Sequence, residues 1–307
     1  MTSIATLTLN PALDSATHVD RVVADEKLRC TRPEVEPGGG GINVARVVGR
    51  LGGSAVAVYP AGGPPGRQLH ELLEEEGVDS RPVTVGEPTR TNLHVSESDT
   101  PSQYRFVMPG GSLAEDEWRR CLAAATALGA RYLVASGSLP PGVPEDLYAR
   151  MVREAPDDCR VVVDTSGAPL RAVANAGAYL LKPNASELRD LCGDLPEEAD
   201  LERAAEDLVD SRAADVVLLS LGAGGAYLAV RGEEGRALRA PTVPIRSRVG
   251  AGDSMVGGIV TALARGWDLV EAARFGLAAG AAAVMTPGTQ LCRREDTERL
   301  YEREHHE

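Results

Sequence analysis

The sequence predicts an α/β protein: an open, mostly parallel sheet flanked by helices, with a small β-sheet lid. Three observations carry this. Short strand-like runs alternate with helical periods through most of the chain, the pattern of a parallel sheet covered on both faces. Two β-rich pieces, 15–35 and 90–107, break the alternation and are expected to pair as a small sheet at the edge of the main domain. Two glycine loops, EPGGGG and VGAGD, each open a helical run. The main domain is accordingly expected to comprise 1–14, 36–89 and 108–307.

In chain order, ATLTL (5–9) reads as a strand, and NPALD as a turn placing Asp14 just past its end. Residues 15–35 show short extended pieces and no helical period. After EPGGGG, the residues Val44, Val47, Val48 and Leu51 recur at helical spacing. SAVAVYPAG reads as a strand and GRQLHELLEEEG as a helix closed by Gly77. RTNLHVSES and SQYRFVMPG read as a hairpin around DTPS. RYLVASG, CRVVVDTS, AYLLKPN and DVVLLSLG follow as strands, with EDEWRRCLAAATALG and SELRDLCG among the helices between them. All four strands end in small or polar residues, which suits a ligand site at the carboxyl edge of an open sheet. The last third is mostly helix: DSMVGGIVTALARG, LVEAARFGLAAGAAAVM and a short C-terminal one. Met255, Val256, Ile259, Val260 and Leu263 are expected on one face of the first of these.

Composition narrows the function classes. The 307 residues suffice for one large α/β domain. A net charge of −13 argues against nucleic-acid and anionic-membrane partners. Five scattered cysteines with no C-x-x-C pair suit reduced thiols in a cytoplasmic protein. MTSIATLTLN lacks the basic and apolar regions of a signal peptide, and no apolar run approaches a membrane span. His305 and His306 have no metal-ligand spacing around them, so a structural zinc is not expected. Of 32 basic residues only Lys27 and Lys182 are lysine. They mark candidate positions for a compact, flexible ammonium in an otherwise arginine-rich chain.

In RVGAGDSMVGG, residues 250–253 fall at a helix N-terminus, where free N–H groups and the helix dipole favour an anion. Asp253 can be read as a helix cap; the doubled glycine is more than a cap requires. PGGGGINVAR repeats the device. Four glycines suggest close approach of backbone to a polar ligand, with Asn43 supplying an amide, although a hinge would also use them. Neither loop is a Walker-type or dinucleotide fingerprint. KPNASEL sets Lys182 and Asn184 after a strand and Glu187 in the next helix's first turn. Asn184 and Glu187 form a cap on one reading. On the other, Asn184 meets phosphate and Glu187 water-bridged magnesium.

In this order and spacing PGGGGINVARVVGRLGG, SGSLPPG, KPNASEL, SLGAGGA and VGAGDSMVGG resemble the PfkB, ribokinase-like family of carbohydrate kinases over essentially the whole chain. LDSAT, EKLRCTRPEVEPGGGGINVAR, TRTNLHV and QYRFVMPGG further resemble its minor, PfkB-type 6-phosphofructokinases of bacteria.

The resemblance implies a ribokinase-like fold, ATP and Mg²⁺ as cofactors, K⁺ as a further one, and a homodimer formed through the β-lid. Asp253 would be the catalytic base, with the amides of Gly250, Ala251 and Gly252 as an anion hole for the transferring phosphoryl group. Lys182 and Asn184 would follow the ATP phosphates, Glu187 would hold Mg²⁺ through water, and Ser220, Gly222 and Gly225 would line the nucleotide groove. Asp14, Gly39, Gly40 and Asn43 match sugar-hydroxyl positions. Lys27 and Arg90 would hold the sugar's phosphate, with Asn92 and Ser138 nearby; Lys27 and Asn92 could serve the neighbouring subunit. Ser247, Val249, Ala283 and Gly288 match a monovalent-cation loop, but Thr286 and Gln290 stand where relatives carry Asn and Arg.

The expected reaction is fructose 6-phosphate plus ATP giving fructose 1,6-bisphosphate and ADP. NPALD also resembles 1-phosphofructokinases and tagatose-6-phosphate kinases, so those acceptors stay open. A catalytically silent sugar-phosphate-binding regulator is the reading from another class, against which the intact GAGD stands.

Overall fold

β1 (Ile4–Leu7), β4 (Ala55–Ala61) and β8 (Tyr132–Ser136) lie side by side, because β1 pairs in parallel with both of the others. Between them in the chain come β2 (Ala12–Val19), β3 (Glu34–Gly38), α1 (Gly40–Arg50), α2 (Gly63–Glu75), β5 (Ser80–Thr84), β6 (Arg90–Glu97), β7 (Gln103–Phe106) and α3 (Glu115–Thr126). After β8 follow α4 (Leu147–Glu154), β9 (Arg160–Asp164), α5 (Gly167–Val173), β10 (Ala178–Leu181), α6 (Ala185–Cys192), α7 (Glu198–Asp210), β11 (Ala214–Ser220), β12 (Ala226–Val230) and β13 (Arg236–Leu238). The chain ends in three helices, α8 (Ala251–Ala264), α9 (Leu269–Val284) and α10 (Arg294–His306). This is a computed structural model that describes residues 3–100, 102–193 and 198–306.

The main sheet has the order β13-β12-β11-β10-β9-β8-β1-β4-β5. Seven strands, from β11 to β5, run parallel, while β12 and β13 form an antiparallel edge. Side chains alternate between two cores. Val134, Val162, Leu180 and Val216 face the layer of α1, α2, α8 and α9. Leu133, Val161, Leu181 and Val217 face the layer of α3, α4, α6 and α7. Strands buried on both faces are almost wholly apolar, so they read as short continuous runs rather than alternating ones. The strand order reverses at β1 and β8, which makes their carboxyl ends the expected ligand crevice.

A second sheet, β3-β2-β6-β7, pairs β2 with β6 in parallel and β6 with β7 as a hairpin. Asp14 sits inside β2, not in a turn past a strand. It shares one face with Asn92 and His94, its neighbours across the β2–β6 pairing. The opposite face exposes Leu93, Tyr104 and Phe106.

α8 departs from the one-faced helix that periodicity suggests. Every residue from Ser254 to Leu263 is buried, because α8 is covered by α9 on one side and α1 on another. The contact is close: a Cβ on Gly258 would stand 2.9 Å from Gly276 Cα. Glycine and alanine therefore fill this layer where larger side chains would separate the helices. Among the described residues no helix is long and apolar enough to cross a membrane.

Candidate active site

The glycine run of α1 lies over the β1–β8 switch point. A Cβ on Gly40 would meet the Ser136 carbonyl carbon at 2.8 Å and Gly137 N at 2.9 Å. One on Gly41 would come 2.6 Å from Thr8 Oγ1 and 2.9 Å from the Leu7 carbonyl oxygen. Gly39 takes φ 113° and packs on Thr8 and Pro11, and Gly38 leaves room only for the Asp14 carboxylate. Each of the four glycines is thus required by close packing against the protein itself. The sequence had suggested approach to a ligand. What the packing achieves is to press the start of α1 onto two strand ends, which aims Asn43 across the cleft.

At the other side of the cleft, Gly250 adopts a left-handed conformation (φ 74°, ψ 1°) that starts α8. The first-turn N–H groups of Ala251, Gly252 and Asp253 have no intrahelical partner, as at any helix start. Asp253 is the acidic residue of this first turn. Its Oδ2 accepts from Asn43 Nδ2 at 2.8 Å, so the carboxylate also faces across the cleft. Burial, and next the neighbouring Asp164 carboxylate, push the Asp253 carboxyl up to about 7, while the Asn43 amide and Lys182 oppose the shift. A carboxylate with that affinity for protons matches a general base working near neutrality.

Lys182 follows β10 and is 5% exposed. Its Nζ pairs with Asp164 Oδ1 at 3.0 Å, and a Cβ on Gly252 would lie 3.7 Å from that nitrogen. The ammonium therefore adjoins the helix start where an anion is favoured. Burial works against its charge, but Asp164, Glu187 and Asp253 together raise its pKa and keep it protonated. Asn184 and Glu187 form a full capping box on α6, Asn184 Oδ1 accepting from Glu187 N at 2.9 Å and Asn184 N donating to Glu187 Oε2 at 2.8 Å. The cap does not exhaust Glu187, whose carboxyl is pushed up by burial and lies within the field of Lys182 and Asp164.

The second sheet brings up the remaining polar groups. Asn92 Nδ2 donates to Asp14 Oδ1 at 2.8 Å in the same chain, and Asn92 Oδ1 accepts from Met108 N at 3.0 Å. Arg90 is committed to backbone carbonyls, those of Asn10 at 2.9 Å, Met108 at 3.0 Å and Pro11 at 3.4 Å. Ser138 is exposed just beyond β8 and accepts from Asn10 Nδ2 at 3.0 Å. Lys27 is exposed on the β2–β3 connection, with no hydrogen bond or ion pair holding it among the described residues.

Two carboxylates, an amide and a buried ammonium thus converge on a glycine-opened helix start, on the carboxyl edge of an open parallel sheet. The model of the pfkB family carbohydrate kinases matches residues 7–296. The chain belongs to the pfkB family. This pfkB-family chain is 47% identical over 307 residues to an ATP-dependent 6-phosphofructokinase isozyme 2 of Mycobacterium tuberculosis, covering 97% of this chain and 89% of that one. It is 45% identical to the isozyme 2 of Escherichia coli, covering 98% of each. Solved structures of the E. coli phosphofructokinase-2 superpose over 99% of both chains. The TM-score is 0.93 for a complex with potassium and 0.91 for one with fructose-6-phosphate, at 45% and 44% identity. A further structure of that protein is its tetrameric inhibited form. The 1-phosphofructokinase of Borreliella burgdorferi is 30% identical, covering 97% of this chain and 96% of that one.

Two further parts of the pfkB-family chain lie beside this centre. Ser220 ends β11 and bridges to Asn184, and Gly222–Gly224 form one 3₁₀ turn before Gly225. Gly225 takes φ 96°, and a Cβ there would stand 2.9 Å from Ala240 N. Ser247 ties two segments together, donating from Oγ to the Gly288 carbonyl at 2.6 Å and from N to the Val284 carbonyl at 3.2 Å. Thr286 Oγ1 lies 2.7 and 2.6 Å from the Ala283 and Gln290 carbonyl oxygens, which share its one proton.

Four residues of the centre were not singled out from sequence. Asp164 was within reach, as the aspartate ending the strand CRVVVD. Glu36, Arg46 and His94 left no comparable signal. His94 Nε2 lies 3.8 Å from Asp14 Oδ1, and both its ring nitrogens are buried without a hydrogen-bond partner among the described residues.

Proposed function

We propose that the chain is an ATP-dependent 6-phosphofructokinase, converting fructose 6-phosphate and ATP to fructose 1,6-bisphosphate and ADP. The observation that carries this is the meeting of Asp253, Asn43 and Lys182 at the open start of α8. Asp253 takes the proton of the sugar's 1-hydroxyl as its oxygen bonds to the γ-phosphorus. The bond from that phosphorus to the β–γ bridging oxygen breaks, and ADP leaves with the electron pair. The N–H groups of Gly250, Ala251 and Gly252 then face the charge on the transferring group. Lys182 and Asn184 lie along the ATP phosphates, and Ser220, Gly222 and Gly225 line the nucleotide groove. Phosphoryl transfer is mainly a matter of positioning and neutralisation, so this small set suffices.

Asp14, Gly39, Gly40 and Asn43 orient the sugar, and Lys27 with Arg90, Asn92 and Ser138 receives its phosphate. A phosphorylated acceptor is favoured because two cations are assigned to that end of the cleft. Identity to 6-phosphofructokinases of 45–47%, against 30–35% to 1-phosphofructokinases, supports fructose 6-phosphate over fructose 1-phosphate.

Mg²⁺ bound to the nucleotide would neutralise phosphate charge. Glu187 fits the role of holding it through water, being a half-buried carboxylate with one oxygen anchored by Asn184 N. A K⁺ ion would lie between the segments of Ser247 and Val249 and of Ala283 and Gly288, which the Ser247–Gly288 hydrogen bond holds together; the Gly288 and Ala283 carbonyls already accept from Ser247 and Thr286 and would share their oxygens with the ion. The apolar face of Leu93, Tyr104 and Phe106 supports a homodimer through the second sheet, which would bring Lys27 to a neighbour's cleft.

Coupled ADP release, measured on fructose 6-phosphate, fructose 1-phosphate, tagatose 6-phosphate and free fructose, tests the assignment. The highest kcat/KM is expected for fructose 6-phosphate. A higher value for another acceptor replaces the substrate, and sugar-phosphate binding with no ADP from any acceptor makes the chain a regulator.

A further inference from the structure

Arg46 lies in the middle of α1, one turn beyond Asn43, and is 2% exposed. A guanidinium cannot shed its charge, so its burial has to be matched by partners. Here every direction is taken. Nε donates to Glu76 Oε2 at 2.8 Å, and Nη2 to Glu76 Oε1 at 2.6 Å, a two-pronged pairing that fixes the plane of the group. Nη2 also approaches Glu36 Oε1 at 3.5 Å. Nη1 points the other way, donating to the Pro37 carbonyl at 2.8 Å and to Asn43 Oδ1 at 3.3 Å.

The Arg46–Asn43 contact selects one orientation of the Asn43 amide. An amide side chain can present either its oxygen or its nitrogen to a neighbour. With Asn43 Oδ1 turned to a buried cation, Nδ2 is the atom left to face Asp253, and it donates to Oδ2 at 2.8 Å. Reversing the amide would set an N–H₂ against the guanidinium and an oxygen against a carboxylate, so both contacts would become repulsive.

We infer that Arg46 is a positioning residue for the reaction: held by Glu76 and Glu36, it fixes the orientation of the Asn43 amide and, through it, the place and charge of Asp253. This inference rests on Asp253 being the base. Glu36 extends the relay. It is carried by β3 of the second sheet, and its Oε2 accepts from Thr289 Oγ1 in the loop after Gly288. The β3 strand, the loop 286–290 and the base are thereby joined through one guanidinium.

The charged groups around both ends are accounted for. Asp253 faces Asp164 from β9, Lys182 after β10 and Asp14 from β2, besides Asn43. Arg46 faces Glu36 from β3 and Glu76 after α2, with Arg50 one turn along its own helix, 3.9 Å from Glu76. Of these, the Asn43 amide and Lys182 favour the ionised Asp253, while the other two carboxylates oppose it.

The test compares Arg46→Lys, Arg46→Met and Asn43→Ala, alone and combined, in the full-length enzyme. Arg46→Lys keeps a buried cation for Glu76 but cannot also serve Pro37 and Asn43, so it remains folded when Arg46→Met does not. At pH 7, kcat of Arg46→Lys should fall about tenfold through misplacement of the base, with the KM for ATP within about twofold of the parent. The acidic limb of kcat against pH should move up by about half a unit, so that raising the pH recovers about twofold of the loss and leaves the rest. In the Asn43→Ala background Arg46→Lys should move that limb no further, since the two act through one contact. Equal limb shifts in both backgrounds, or lost kcat with the limb unmoved, would overturn the relay. Asp253→Asn is run alongside. If it retains most of the parent kcat, the base assignment fails, whatever Arg46 does.

Discussion

Nζ of Lys182 lies 3.0 Å from Oδ1 of Asp164, with 5% of the lysine side chain and 14% of the aspartate exposed. Neither member is replaceable alone, because removing one leaves the other's charge buried without a counterion. Lys182→Met should lower the unfolding free energy by about 3 kcal/mol, read from urea titrations, and should raise the KM for ATP. An unchanged KM in a folded variant would remove Lys182 from the phosphate path.

The raised affinity of Asp253 for protons links turnover to pH. Its carboxyl is held up to about 7 by burial and Asp164, so kcat/KM should fall about tenfold per unit on acidification below that value. Stability moves the other way. Between the ordinary carboxylate range and pH 7 the folded state binds more protons than the unfolded one, so stability is lost as pH rises through that window. Asp253→Asn should therefore abolish turnover and raise the melting temperature at pH 8, with little change at pH 4. An equal rise at both pH values would place the effect elsewhere.

Gly40 tests the packing of the glycine run. Alanine there would drive a methyl group into Ser136 and Gly137, costing about 1–3 kcal/mol. Loss of activity should accompany the lower urea midpoint, because the start of α1 that carries Asn43 must shift. A variant as stable and as active as the parent would show that α1 need not seat so closely.

Lys27 and Arg90 should separate cleanly. Lys27→Ala should raise the KM for the phosphosugar about tenfold or more while leaving stability within about 0.5 kcal/mol. Arg90→Ala should raise that KM and also destabilise, since its guanidinium serves three backbone carbonyls. Steady-state kinetics beside thermal melts distinguishes them, and equal melting losses would contradict the exposed position of Lys27.

The open face of the second sheet carries Phe106 at 47% exposure and Leu93 at 37%, paired across β6 and β7. Phe106→Asp should lower the solution mass measured by light scattering and leave the far-UV spectrum unchanged. An unaltered mass would overturn the proposed homodimer through this face.

Much of this was legible in one dimension. Apolar runs alternating with helical periods implied the parallel sheet, since strands covered on both faces carry few polar positions. GAGD, KPNASEL and PGGGG marked the helix starts because glycine and helix-capping residues act locally. Asp14 was misplaced by one element, as NPALD carries turn residues that the β2–β6 pairing overrides. α8 escaped its pattern because a helix covered on several sides has no polar face to betray its orientation.

The linear chain therefore set local features: which segments are strands or helices, and where glycines permit a backbone turn. Only the tertiary structure decided the partners. Asn43 and Asp253 are 210 residues apart in the chain, and Arg46 bridges strand β3 and the end of α2. A buried charge needs neutralisation from whichever elements the fold packs against it. Its partners are thus chosen by the order of strands in the sheet, which no neighbouring residue in the sequence records.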